Sequence, residues 1–301
     1  MNRPVKIACG IEYDGQGFYG FQTQRQEPTV QACLEKAFSR VANEPVEVIC
    51  AGRTDTGVSA RGQVIHFETR ALRSARSWVL GANSALPAGI AVLWARAVPE
   101  DFHARFSATG RRYRYRIINR WVRPSLGRAN LTWVKKPLDE KRMHAAVQVL
   151  VGEHDFSAFR AAGCQSRTAV REVTHASVTR EGNQVHIDIS ANAFLHHMIR
   201  NIAGTLIPIG TGEKPVDWMR QLLAGRNRRA SGITAPPNGL VFEAVDYPSR
   251  FGLPVSPPDF ERDSGELLGA GPTVGHENDT SENTCTAVMA ASRGTSRDQK
   301  T

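Results

Sequence analysis

From Arg112 to Ile117 the chain alternates strictly, with Arg112, Arg114 and Arg116 at one parity and Tyr113, Tyr115 and Ile117 at the other. Successive side chains of a strand point to opposite faces, so this stretch belongs to a sheet with one charged face and one apolar face. Other segments fit around it. Val5–Tyr13, Pro45–Ala51, Gln63–Thr69, Ile90–Val98, Ala169–Thr179, Gln184–Ala191 and Leu240–Tyr247 read as strands, with Glu181-Gly182-Asn183 as a hairpin turn. Thr29 caps a helix in which Val30, Leu34, Phe38 and Val41 recur at helical spacing. Ser74–Leu86, Leu138–Gly152, Ala193–Leu206 (stopped before Pro208) and Val216–Leu223 also read as helices. The opening order of strand, helix, strand, loop, strand, helix, strand is an α+β layout with helices covering one face of a sheet.

A chain of 301 residues can hold two domains, and the rhythm divides it into 1–105 and 106–248. Beyond them, 249–301 gains Pro, Gly, Ser and Thr and loses periodicity, which reads as a disordered tail. That tail carries five Lys/Arg against eight Asp/Glu, so 1–248 is net +12 where the whole chain is +9. A body this basic favours a polyanionic partner. Arginines beside aromatics at 112–117 suit phosphates and stacked bases, although a solvated edge strand protected by charge has the same pattern. The five cysteines form no Cys-x-x-Cys pair. They fit a reducing cytoplasm, and neither a signal peptide nor an apolar run of about 18 residues is present.

The stretch Ala51-Gly52-Arg53-Thr54-Asp55-Thr56-Gly57-Val58-Ser59 puts one carboxylate on a glycine-bounded loop between strands. Such a loop can hold a catalytic group on a rigid scaffold, or the aspartate can simply close a turn. Arg200 lies in an otherwise apolar helix and requires a carboxylate or phosphate partner. His196 and His197, as helix neighbours, point about 100° apart and so should share no metal. Glu153-His154-Asp155 reads as a cap or turn, His66 as a strand histidine, and Arg226, Arg228 and Arg229 as a second basic patch.

Three motifs go further. Gly52-Arg53-Thr54-Asp55-Thr56-Gly57-Val58, Phe106-Ser107-Ala108-Thr109-Gly110-Arg111-Arg112-Tyr113-Arg114-Tyr115 and Asn192-Ala193-Phe194-Leu195-His196-His197-Met198-Ile199-Arg200-Asn201 resemble the tRNA pseudouridine synthase A family from about Lys6 to Tyr247. The resemblance implies two α+β domains whose antiparallel sheets join across a central cleft, with helices on the outer face. It implies conversion of uridine to pseudouridine in the anticodon arm of tRNA, by a homodimer that needs neither cofactor nor metal. Asp55 becomes the catalytic aspartate, Tyr113 the active-site aromatic, Arg200 the partner of Asp55, and Leu240 an apolar wall of the uracil pocket. Arg53, Arg112 and Arg114 become contacts to RNA. One position departs: Ser59 stands where the family commonly has His. The same scaffold could instead serve as a non-catalytic RNA-binding protein. A hydrolase or phosphotransferase would want a second carboxylate or Mg²⁺ ligands that the loop lacks.

Overall fold

The computed structural model describes residues 3–25, 27–254 and 267–269. The first half contains β1 (Val5–Tyr13), α1 (Val30–Ala42), β2 (Ile49–Cys50), β3 (Ser59–Thr69), α2 (Ala75–Asn83) and β4 (Ile90–Val98). The second contains β5 (Gly110–Asn119), β6 (Thr132–Val134), α3 (Glu140–Val147), β7 (Gly152–Asp155), β8 (Val170–Glu181), β9 (Gln184–Ala191), α4 (Met198–Gly210), α5 (Trp218–Gly225) and β10 (Leu240–Asp246). Among the described residues these strands form one ten-stranded sheet, in the order β4-β1-β3-β10-β5-β9-β8-β7, with β2 on β3 and β6 on β5. The architecture is α+β.

The last strand stitches the halves together. β10 pairs antiparallel to β5, with Phe242 opposite Tyr113, and makes a short parallel pairing with β3, with Phe242 opposite Ala60. Leu240 and Phe242 lie two apart, so their side chains share a face. Leu240 belongs to the core that includes Met143 of α3, Ile202 of α4 and Ile187 of β9, and Phe242 to the core that includes Leu34 and Phe38 of α1 and Trp78 of α2. Both helical layers therefore cover the same face of the sheet, and a cleft runs between them.

On the opposite face, Arg112, Arg114 and Arg116 pair with Asp246, Asp188 and Glu243 at 4.0, 2.7 and 3.3 Å. The parity read from the sequence is the one observed. Over the first half, Val64, Trp94, Phe102 and Phe251 form a small second core on that face. It explains why Val64 through Phe67 are all buried. His66 sits there with Nδ1 accepting from the Ala104 amide at 3.1 Å, and burial pushes its pKa down to about 4.

Several boundaries move. β2 shrinks to two residues, because 45–48 runs along α1 with the Val46 and Val48 amides donating to Ser39 and Glu35 side chains. Glu153-His154-Asp155 is not a turn but edge strand β7, paired with β8. The 181–184 hairpin forms with Gly182 at φ +55. Most important, α4 begins at Met198, not Ala193, and carries Pro208 inside its last turn. Most of the expected tail lies outside the described residues. No helix among the described residues is long and apolar enough to cross a membrane.

Candidate active site

The Asp55 loop is fixed from three sides before any ligand arrives. Buried Gln63 clamps the Gly52 peptide, its Nε2 donating to Gly52 O at 2.6 Å and its Oε1 accepting from Gly52 N at 3.3 Å. Tyr13 OH meets Thr54 Oγ1 at 2.8 Å. The Phe21 amide donates to Thr54 O at 3.0 Å, while its ring is buried beside Tyr13. Gly20 permits that approach, since a Cβ there would sit 2.8 Å from Thr54 O. The turn closes with Val58 N donating to Asp55 O at 3.1 Å and Gly57 at φ +77. Backbone and buried side chains thus hold the loop and leave the Asp55 carboxylate free to face the cleft.

Three cationic or imidazole groups meet that carboxylate, which is 28% exposed. Arg200 Nη1 donates to Oδ2 at 3.3 Å, and its Nε donates to Ala235 O at 2.8 Å, so the guanidinium is aimed by the backbone of a separate segment. His197 Nε2 lies 3.2 Å from Oδ2 and His196 Nε2 lies 3.4 Å from Oδ1. The expectation that these histidines diverge fails, because neither is on a helix. His197 adopts φ +60, ψ 9, an uncommon conformation for a residue with a side chain, and the reversal brings the two rings within 3.9 Å, centroid to centroid. Burial pushes the His197 pKa down, against the opposing pull of Asp55. Asp55, His196 and His197 each offer a ligand atom within 4.8 Å of the others, so these are the residues that could hold a metal ion.

The carboxylate opens into a cavity of about 1020 Å³ lined by Arg53, Arg105, Arg111, Tyr113, Phe194, Leu240 and both histidines, among others. Tyr113 forms part of its floor, with its ring 4.7 Å from Phe242 and edge-on to Phe194 at 4.9 Å. Burial, reinforced by Tyr13 and Asp55, raises the Tyr113 pKa far above the ordinary phenol value, so the hydroxyl stays protonated. Leu240, 6% exposed, supplies an apolar wall.

The expected site residues therefore separate. Asp55, Tyr113, Arg200, Arg53 and Leu240 come together at the cavity. Arg112 and Arg114 do not, because strand parity turns them to the far face and onto Asp246 and Asp188. Arg111 is the arginine of β5 that faces the cavity. It braces the rim by donating to Ala51 O, Arg105 O, Ala108 O and Asn192 O. It shares parity with Tyr113, so the same alternation that excludes Arg112 could have picked it out. Ser59 is 8% exposed and borders a separate cavity of about 240 Å³. Its Oγ donates to Asn130 Oδ1 at 2.9 Å and accepts from the Gly15 amide at 3.0 Å, which makes it a tie between loops.

The family model described as "tRNA pseudouridine synthase" matches residues 10–107 and 146–248, which include Asp55 and Arg200. The chain belongs to this family. A tRNA pseudouridine synthase A of Citrobacter koseri is 57% identical over 252 residues, spanning 84% of this chain and 93% of that one. Those of Pectobacterium atrosepticum and Salmonella arizonae are each 56% identical, over 83% and 85% of this chain and 89% and 96% of theirs. A solved structure of a Cbf5–Nop10–Gar1 complex overlaps 66% of this chain and 54% of its own at 11% identity and a TM-score of 0.28, too low a likeness to bear on the assignment.

Proposed function

We propose that the protein isomerises uridine to pseudouridine in the anticodon arm of tRNA, with Asp55 as the catalytic carboxylate. The observation that carries this reading is the convergence of Asp55 and Arg200, 145 positions apart, on a cavity with an aromatic floor and a basic rim. A base buried in a stack cannot be detached and rotated, so the uridine must first be flipped out. The cavity has the surfaces for that. Tyr113 and Leu240 offer a flat ring and an apolar wall to the uracil, while Arg53 and Arg105 stand where flanking phosphates would pass.

Asp55 acts on the detached base or the ribose as nucleophile, or as the group that takes a proton. Arg200, held by Ala235 O, orients the carboxylate and balances its charge in the cavity. Tyr113 rests as a neutral phenol, so it can stack and donate a hydrogen bond at once. It can remove the C5 proton only as its own proton leaves. The proposal includes a homodimer, which the family resemblance supports. Trp121, Val122 and Leu126, in the connection between β5 and β6, are exposed apolar side chains that a second copy would cover.

The test is pseudouridine formation on unmodified tRNA transcript, wild type beside Asp55→Ala, in EDTA. Product at anticodon-arm uridines from the wild type alone is the expected result. Tight tRNA binding without product from either protein would replace catalysis with RNA binding on the same scaffold.

A further inference from the structure

The pair of histidines at Asp55 does more than the isomerase reading requires. Each ring nitrogen approaches a carboxylate oxygen, at 3.4 and 3.2 Å, yet among the described residues neither ring is aligned to hydrogen-bond with the carboxylate. The contacts are close without being aimed at the oxygens. Donors that share a tetrahedral ion with bonds of about 2.0 Å stand about 3.3 Å from one another. Here the two imidazole nitrogens face different oxygens of one carboxylate at 3.4 and 3.2 Å, and one ligand atom from each of the three residues lies within 4.8 Å of the others, so a small turn of the side chains brings them onto one ion. A carboxylate and two imidazoles suit a borderline divalent ion such as Zn²⁺ or Co²⁺ better than Mg²⁺.

We propose that Asp55, His196 and His197 form a binding site for a divalent transition-metal ion, and that the bound ion switches the enzyme off by occupying the catalytic carboxylate. The binding half stands on geometry alone; the inhibitory half rests on the function proposed above.

Two features set the strength of the site. Arg200 donates to the same Oδ2 that faces His197, so an incoming dication meets a fixed positive charge. Neither histidine uses its other ring nitrogen in a hydrogen bond among the described residues, and a metal-bound histidine normally relies on such a partner. The site is therefore weak and reversible, since each missing supporting contact costs about 10–100-fold in affinity. The ion takes the lone pairs that Asp55 needs for its reaction, and it sits on the wall of the cavity that the flipped base must enter.

The experiment uses the full-length protein and Co²⁺, whose visible absorption is intense when four-coordinate. One equivalent of Co²⁺ should give that spectrum, and Asp55→Asn, His196→Gln and His197→Gln should each weaken binding by more than about tenfold. Circular dichroism checks the fold of each variant, so one folded variant suffices. Cys164→Ser should keep the spectrum, because Cys164 lines the same cavity without belonging to the cluster. In parallel, Zn²⁺ should stop pseudouridine formation and EDTA should restore it. No four-coordinate spectrum, a spectrum untouched by the three substitutions, or one lost only in Cys164→Ser would overturn the site. Stoichiometric binding with undiminished turnover would overturn the inhibition. Absence of product without any metal would refute the isomerase reading, and the Co²⁺ spectrum would still decide the site.

Discussion

Gly204 provides a severe test of how the site is aimed. It lies on α4, one turn beyond Arg200, and a Cβ there would sit 1.7 Å from Ile233 O, where real Cβ contacts essentially never fall below 3.0 Å. Gly232 faces it reciprocally, since a Cβ there would meet Gly204 O at 2.2 Å. Both neighbours are backbone, so no rotamer change can relieve the clash. Gly204→Ala must drive the 231–235 segment away by about 1 Å or more, and that segment carries Ala235 O, the acceptor that aims Arg200 at Asp55. Helix propensity alone would favour alanine by about 1 kcal/mol. Overpacking costs about 1–3 kcal/mol, so the expected net is a loss of stability of up to about 2 kcal/mol. A 1 Å misplacement of catalytic groups costs about 100-fold in rate. Urea unfolding measures the first quantity, and single-turnover pseudouridine formation measures the second. Gly225→Ala is the control, because a methyl there meets nothing within 4 Å. A Gly204→Ala protein that is as stable as the wild type and turns over at its rate would refute the argument that backbone contact sets the Arg200–Asp55 geometry.

Tyr113→Phe keeps the packing on Phe242 and Phe194, so tRNA binding should persist while the single-turnover rate falls about 10²–10⁴-fold; an unchanged rate would remove the hydroxyl from the chemistry. Arg53→Met should lower the slope of log affinity against log salt by about 1, and Arg114→Met should leave it unchanged, because Asp188 already neutralises Arg114 on the far face. The reverse outcome would put the RNA on that face. Ser59→Ala severs the ties to Gly15 and Asn130 and should cost about 1–3 kcal/mol in unfolding with turnover intact; a stable variant with lost turnover would place Ser59 in the path of the RNA.

What was legible in the sequence is what local period dictates. The alternation at 112–117 gave both the strand and its two faces, and the 181–184 hairpin followed from its turn residues. The motif resemblance brought Asp55, Tyr113, Arg200 and Leu240 to one place. Illegible were the features set by long-range contact. The two short edge pairings of β6 and β7 depend on neighbours, not on pattern. Strand parity already separates Arg112 and Arg114 from Tyr113 in the sequence, so their place off the cavity was legible there. The histidines were misread because an apolar run extended smoothly into α4, and nothing local announces a left-handed His197.

That reversal has an energetic meaning. A non-glycine residue in the left-handed region costs of order 1 kcal/mol, so something must hold His197 there. The hold comes from both sides of the turn: Met198 N donates to Leu195 O, Asn201 N donates to His197 O, and Ala161 N donates to His196 O. Leu195, Met198 and Ile199 are buried in the core beneath. A helix continued back to Ala193 would have kept its backbone unstrained but carried the histidines away from Asp55. The chain instead starts the helix directly after the pair, at Met198, and spends packing to turn both rings toward Asp55. The strain lies beside the Asp55 carboxylate, which is where a fold that is regular elsewhere would be expected to break its own rule for function.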